Sequence, residues 1–102
     1  MPKYVFAYHG GNPPSSPEEG KKIMAAWEKW FGSIGPHVAD GGNPLGKSVT
    51  VSARGVMHDG GANPISGYSL INAADMDEAI RIAKGCPILD GGSVEIAEAM
   101  SM

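Results

Sequence analysis

The chain has 102 residues, a net charge of −3, and eight lysines and arginines scattered without a basic stripe. One domain, residues 1–102, is expected at this length, with enough core to fold without a metal or disulfide. The charge pattern excludes a nucleic-acid surface, and no apolar run approaches the ~20 residues that span a bilayer.

The N-terminus carries one lysine and a strand pattern, not a signal peptide. The single cysteine, Cys86, has no internal partner. Both features point to a reducing cytoplasm. Fifteen glycines and eight prolines gather in the connections, which implies tight loops.

Lys3–His9 alternates as a strand, with Tyr4, Phe6 and Tyr8 on one face and Val5, Ala7 and His9 on the other. Apolar residues on both faces imply a central strand. Ser16-Pro17-Glu18-Glu19 announces a helix, with Ser16 as N-cap, Pro17 at the first helical position and Glu19 at the capping-box position. Ile23, Trp27, Trp30 and Ile34 form its apolar stripe, widened by Met24 and Phe31. Gly35-Pro36 ends it, and a positive φ is expected at Gly35. His37–Asp40 reads as a short extended piece. Lys47–Met57 reads as a longer strand, with Gly55 as a bulge.

Ser66–Ala73 is a further strand, with Tyr68 and Leu70 opposed to Ser69, Ile71 and Ala73. Asp75 with Glu78 three residues on makes a capping box for a second helix, whose stripe is Met76, Ala79, Ile80 and Ala83. Gly85, expected at positive φ, and Pro87 stop it. Cys86 between them reads as a small buried packing residue. Gly91-Gly92 turns the chain into Ser93–Ala97, with Val94 and Ile96 on one face. The order is β-α-β-β-β-α-β, an α+β sandwich with two helices on one face of an antiparallel sheet. Phe6, Tyr8, Tyr68 and Leu70 are assigned to the uncovered face. A second copy of the sheet is the simplest cover, so a homodimer is expected.

At this point the residues meet a family. The phrases GYSLI, AADMDEA, AKGCP and GGSVE closely resemble the second half of the YCII-related (DGPF) proteins. KYVFAY, the W-x-x-W-F of the first helix and DGGNPL extend the resemblance over nearly the whole chain. It implies a small bacterial domain with a ferredoxin-like sandwich paired as a dimeric α+β barrel, of unassigned reaction. The stretch that often reads D-G-P-F is Asp59-Gly60-Gly61-Ala62 here. Some relatives are thought to use a histidine on the first helix with a nearby acid, for dehalogenation-like or isomerase-like chemistry. The first helix of this chain has no histidine, so that dyad does not carry over.

A loop phrase recurs: His9-Gly10-Gly11-Asn12-Pro13, Asp40-Gly41-Gly42-Asn43-Pro44 and Asp59-Gly60-Gly61-Ala62-Asn63-Pro64. Each is consistent with plain turn chemistry, in which Asp bonds its own backbone. A functional reading stands beside it. In a ferredoxin-like arrangement the end of the first strand, the following hairpin turn and the first helix's N-terminus share one edge. His9, His58 and Asp59 would then gather there, with Asp40 and His37 nearby. An imidazole beside a carboxylate is an acid–base pair near neutral pH, and Ser15 and Ser16 at the helix start could hold an anion. His9 and Asp59 are expected to share one cavity. Tyr68 and Trp27 complete the candidate ligand-binding set, although tryptophans at helical spacing usually supply packing.

No metal is expected, because His9, His37 and His58 lack ligand spacing. No cofactor is expected either: neither a P-loop nor a dinucleotide fingerprint occurs. Three functions remain open. One is a small-metabolite binder with its pocket between sheet and helices. Another is an acid–base enzyme, an isomerase or dehalogenase-like lyase, using a His/Asp pair. The last is a purely structural dimerisation module.

Overall fold

A computed structural model of the chain describes residues 1–101. Strand β1 is Lys3–Gly10 and helix α1 is Pro17–Ile34. Strand β2 (Val38–Pro44) follows a one-turn 3₁₀ segment, then come the short strands β3 (Thr50–Ser52) and β4 (Gly55–Met57). Strand β5 is Ile65–Asn72, helix α2 is Met76–Ala83 and strand β6 is Gly92–Glu98. The main sheet has four antiparallel strands in the order β2-β5-β1-β6. With α1 after the first strand and α2 after β5, this α+β order is compatible with a ferredoxin-like sandwich.

The helices begin where their caps require. Ser16 accepts from the Glu19 N–H at 3.1 Å, and Asp75 accepts from the Glu78 N–H at 2.8 Å. Gly35 ends α1 at φ +42° and donates its N–H to the Phe31 carbonyl, as the sequence implied. Gly85 departs from expectation. It is not among the glycines with positive φ, and Lys84 closes α2 in ordinary helical geometry.

The core lies between the helices and one sheet face. Tyr4, Phe6 and Tyr8 from β1 are buried there with Ser69 and Ile71 from β5 and Ala79 and Ala83 from α2. Phe6 and Ile71 are fully buried, each worth about 1.5–3 kcal/mol. Trp30 stacks on Phe6 with ring centres 6.5 Å apart. Its indole N–H donates to the Ile82 carbonyl at 3.2 Å and so fastens α1 to α2.

Two sequence expectations are corrected. Directly opposed residues in an antiparallel pair share a face, and Ala7 opposes Tyr68 while Val5 opposes Leu70. Phe6 and Tyr8 therefore lie under the helices, and the opposite face carries Val5, Ala7, Tyr68 and Leu70. Lys47–Met57 is not one strand. It folds back on itself as the β3–β4 hairpin, with Thr50 opposite Met57. Gly55, at φ +132°, sits at the end of that reversal instead of in a bulge. The hairpin leaves Val51, Val56 and Met57 exposed.

Candidate functional site

One face of α1, from Ile23 to Phe31, looks onto the sheet across open space. Between them opens a cleft of about 650 Å³, within the roughly 300–1,000 Å³ of small-molecule sites. Ile23, Met24, Trp27 and Phe31 form the helix wall, and Tyr8 with the Gly41–Leu45 stretch forms the sheet side. Trp27 meets Tyr8 edge-on at 5.1 Å, and lies tilted against Phe31 at 5.8 Å. These rings are spaced at helical and strand periods, which is why one face of each element supplies them.

A buried polar chain runs from the wall of this cleft into the sheet. The Tyr8 hydroxyl donates to Ser69 Oγ at 2.8 Å, and Ser69 donates to the Gly41 carbonyl at 2.7 Å. Burial raises the Tyr8 phenol pKa strongly, and the Ser69 hydrogen bond offsets this only in part. Burial likewise pushes the Cys86 thiol up to about 11, against the lowering effect of the Ile88 backbone and the Tyr8 hydroxyl. Cys86 is therefore a buried neutral thiol against Tyr8, which suits packing and not attack.

Strand β2 reaches the cleft by an irregular path. Its register against β5 slips between Val38 and Asp40 and again between Asp40 and Asn43. Gly42 sits in this stretch at φ +72°, and a Cβ there would collide with the Tyr68 carbonyl oxygen and lie 2.7 Å from its carbon. Only glycine lets the two backbones approach so closely.

The expected site residues make separate contacts. His9 projects onto the face away from the helices, on the opposite side of β1 from Tyr8. Its Nδ1 lies 3.0 Å from the Asn63 carbonyl and 3.2 Å from that of Pro64, and its Nε2 lies 3.0 Å from Glu95 Oε1. Both ring nitrogens face acceptors, which suits the doubly protonated ring. Its pKa is raised: desolvation pulls it down, but the Glu95 carboxylate and the two carbonyls together outweigh that. The acid that meets His9 is thus Glu95. The Asp59 carboxylate accepts from the Gly61 N–H at 3.1 Å, and that of Asp40 accepts from the Gly42 N–H at 2.8 Å. Both make the local turn contact that Asp-Gly-Gly allows.

His58 is exposed just after β4. Ser15 donates to the Glu19 carboxylate and Ser16 caps α1; neither borders the cleft. Trp27 and Tyr68 do border it, and the Tyr68 hydroxyl lies 3.4 Å from Asn43 Nδ2. His37 is not near His9. Its Nδ1 contacts the Asn72 carbonyl at 2.8 Å, at the opposite end of β5 from Ile65, which pairs with His9. Asp40 pairs with Leu70, also well along β5.

A second hollow of about 540 Å³ adjoins the first, bounded by Leu45–Ser48, Asp59–Ser66 and Gly10-Gly11. Gly10, Gly11, Leu45 and Ser66 border both. Among the described residues, no cluster of His, Cys, Asp or Glu could hold a metal ion, and no helix is long and apolar enough to cross a membrane. No family model and no curated protein matches the chain.

The polar chain through Ser69 was absent from the sequence reading. Its signal was a serine at a core-facing position of an otherwise apolar strand face, directly opposite Phe6 and diagonal to Tyr8 on the neighbouring strand.

Proposed function

We propose that this chain binds a small, mainly apolar molecule in the cleft between α1 and the sheet. The observation that carries the reading is the cleft itself, walled by Trp27, Phe31, Ile23 and Met24 and backed by the Tyr8–Ser69–Gly41 chain. Among the described residues, Tyr8 and Tyr68 are the only ionisable ones that border it, and the Tyr68 side chain lies on the other face of the sheet. That favours binding over acid–base turnover, because a proton-transfer group must reach its substrate. The test is a screen of small aromatic and aliphatic compounds, read by Trp27 fluorescence and by amide shifts of Gly41 and Gly42. Saturable binding that moves both signals is expected. Binders that leave Gly41, Gly42 and Trp27 unmoved would overturn the reading.

The same domain is proposed to work as a YCII-like homodimer, closed through the helix-free face of the sheet into an α+β barrel. Support comes from the strand order, from the motif resemblance, and from Val5, Ala7, Tyr68 and Leu70, which occupy that face without a helix over them. Leu70→Glu should then give monomers by sedimentation velocity. A Leu70→Glu variant that remains a folded dimer removes this face from the interface.

A further inference from the structure

The two hollows differ in chemistry. Rings and aliphatic groups line the first. The second holds two serine hydroxyls, Ser48 Oγ and Ser66 Oγ, each buried and each without a hydrogen-bond partner. Buried hydroxyls are almost always satisfied, so an orphaned pair bordering one hollow points to a group that completes them.

Their placement has a structural cause. Tyr8 pairs with Gly67 and His9 with Ile65, so Ser66 is the extra residue of a bulge in β5. A bulge swings a side chain out of the normal alternation, and Ser66 borders both hollows. Ser48 packs against Gly60, where a side chain would strike its hydroxyl.

Two charged groups border the second hollow, Lys47 and Asp59. They are not equally free. Asp59 is engaged by the Gly61 N–H at 3.1 Å, whereas Lys47 has no ion pair among the described residues. The available set is therefore two hydroxyl donors and one ammonium, which suits a carboxylate.

Building on the cleft reading above, we propose that the ligand is an amphiphilic carboxylic acid. Its apolar body lies against Trp27 and Phe31, and its carboxylate passes Ser66 to reach Ser48 and Lys47. Ser66 is the gate between the two compartments and the residue that reads the head group.

The test compares phenylpropionate, phenylpropanol and phenylpropylamine, which share one body and differ in the head. Titrations follow Trp27 fluorescence in the full chain. The acid should bind tightest, by about tenfold or more over the alcohol, the scale of a hydrogen bond to a charged group. Ser66→Ala and Lys47→Gln should each remove most of that preference while leaving alcohol binding within about twofold. Ser48→Ala, away from the main sheet, gives the same answer should Ser66→Ala disturb the bulge. Equal binding of acid and alcohol, or a preference for the amine, would overturn the head-group assignment and leave the cleft reading standing. No response to any of the three would overturn both.

Discussion

Trp27 and Trp30 lie one turn apart on α1 and meet edge-on at 5.7 Å, yet they belong to different kinds of interior. Around Trp30, 5% exposed, everything is closed: Phe6 beneath, Ile82 accepting its N–H, and Ala79 and Ala83 packed in the same core. Around Trp27 the helix has no second helix beside it, and the sheet opposite is the irregular β2 with its glycines. The residue is only partly buried and borders a cleft. One helix thus presents a fastened face at Trp30 and a face that leaves room, from Ile23 to Phe31. The difference comes from what faces each turn, not from the turn itself.

The sharpest way to break this comparison is to truncate each ring. Trp30→Ala should cost about 3–5 kcal/mol of stability by urea unfolding, as for other buried aromatics. Trp27→Ala should cost only about 1–2 kcal/mol. Equal losses would mean that the cleft face is as tightly packed as the other.

Gly42→Ala asks whether the open side is loose in its backbone too. The positive φ and the collision with the Tyr68 carbonyl predict a loss of about 2 kcal/mol or more. A variant as stable as the parent would show that β2 shifts freely beside the cleft.

Glu95→Gln probes the far side of the sheet by pH. The folded pKa of His9 is raised above its ordinary value of about 6.5. Its pairing therefore stabilises fully below that value and is lost as pH rises through the folded pKa. The stability difference between parent and Glu95→Gln should be clear below about pH 6.5 and shrink as pH rises through the folded pKa of His9. In the variant the His9 pKa, followed by NMR titration, should fall. A difference that is constant with pH would mean that Glu95 acts by packing alone.

The smallest effect is expected on the fastened side, at Gly85. A Cβ there would sit 3.5 Å from the Trp30 indole, an ordinary contact, in a backbone without positive φ. Gly85→Ala should be neutral or stabilising by up to about 1 kcal/mol, through the entropy of the unfolded chain. Destabilisation beyond that would reveal strain against Trp30.

Local signals carried most of the fold. Ser16-Pro17 and Asp75 marked both helix starts, and strict alternation marked β1 and β5, because caps and periods act within a few residues. Which face of β1 met the helices was not legible, since Val5 and Ala7 are apolar as well as Phe6 and Tyr8. The β3–β4 reversal hid inside an alternating run whose only breaks are Ala53-Arg54-Gly55. The partner of His9, Glu95, lies far along the chain, and nothing local marks it. The bulge at Ser66 was invisible for the same reason: register belongs to a pair of strands, and one strand alone does not contain it.

The strand order also fixes the sequence of events during folding. Strand β1 finds both its neighbours, β5 and β6, in the later part of the chain, and β2 pairs with β5 alone. No ladder of the main sheet can close until Ile65–Asn72 has left the ribosome. Among the described residues, the only strand pairing available before then is the three-residue hairpin. Phe6, Tyr8 and the apolar stripe of α1 must wait exposed through that interval, open to chaperones and to other chains. The search for β5 then closes long loops before any sheet contact forms, and this sets a slow clock for the whole domain.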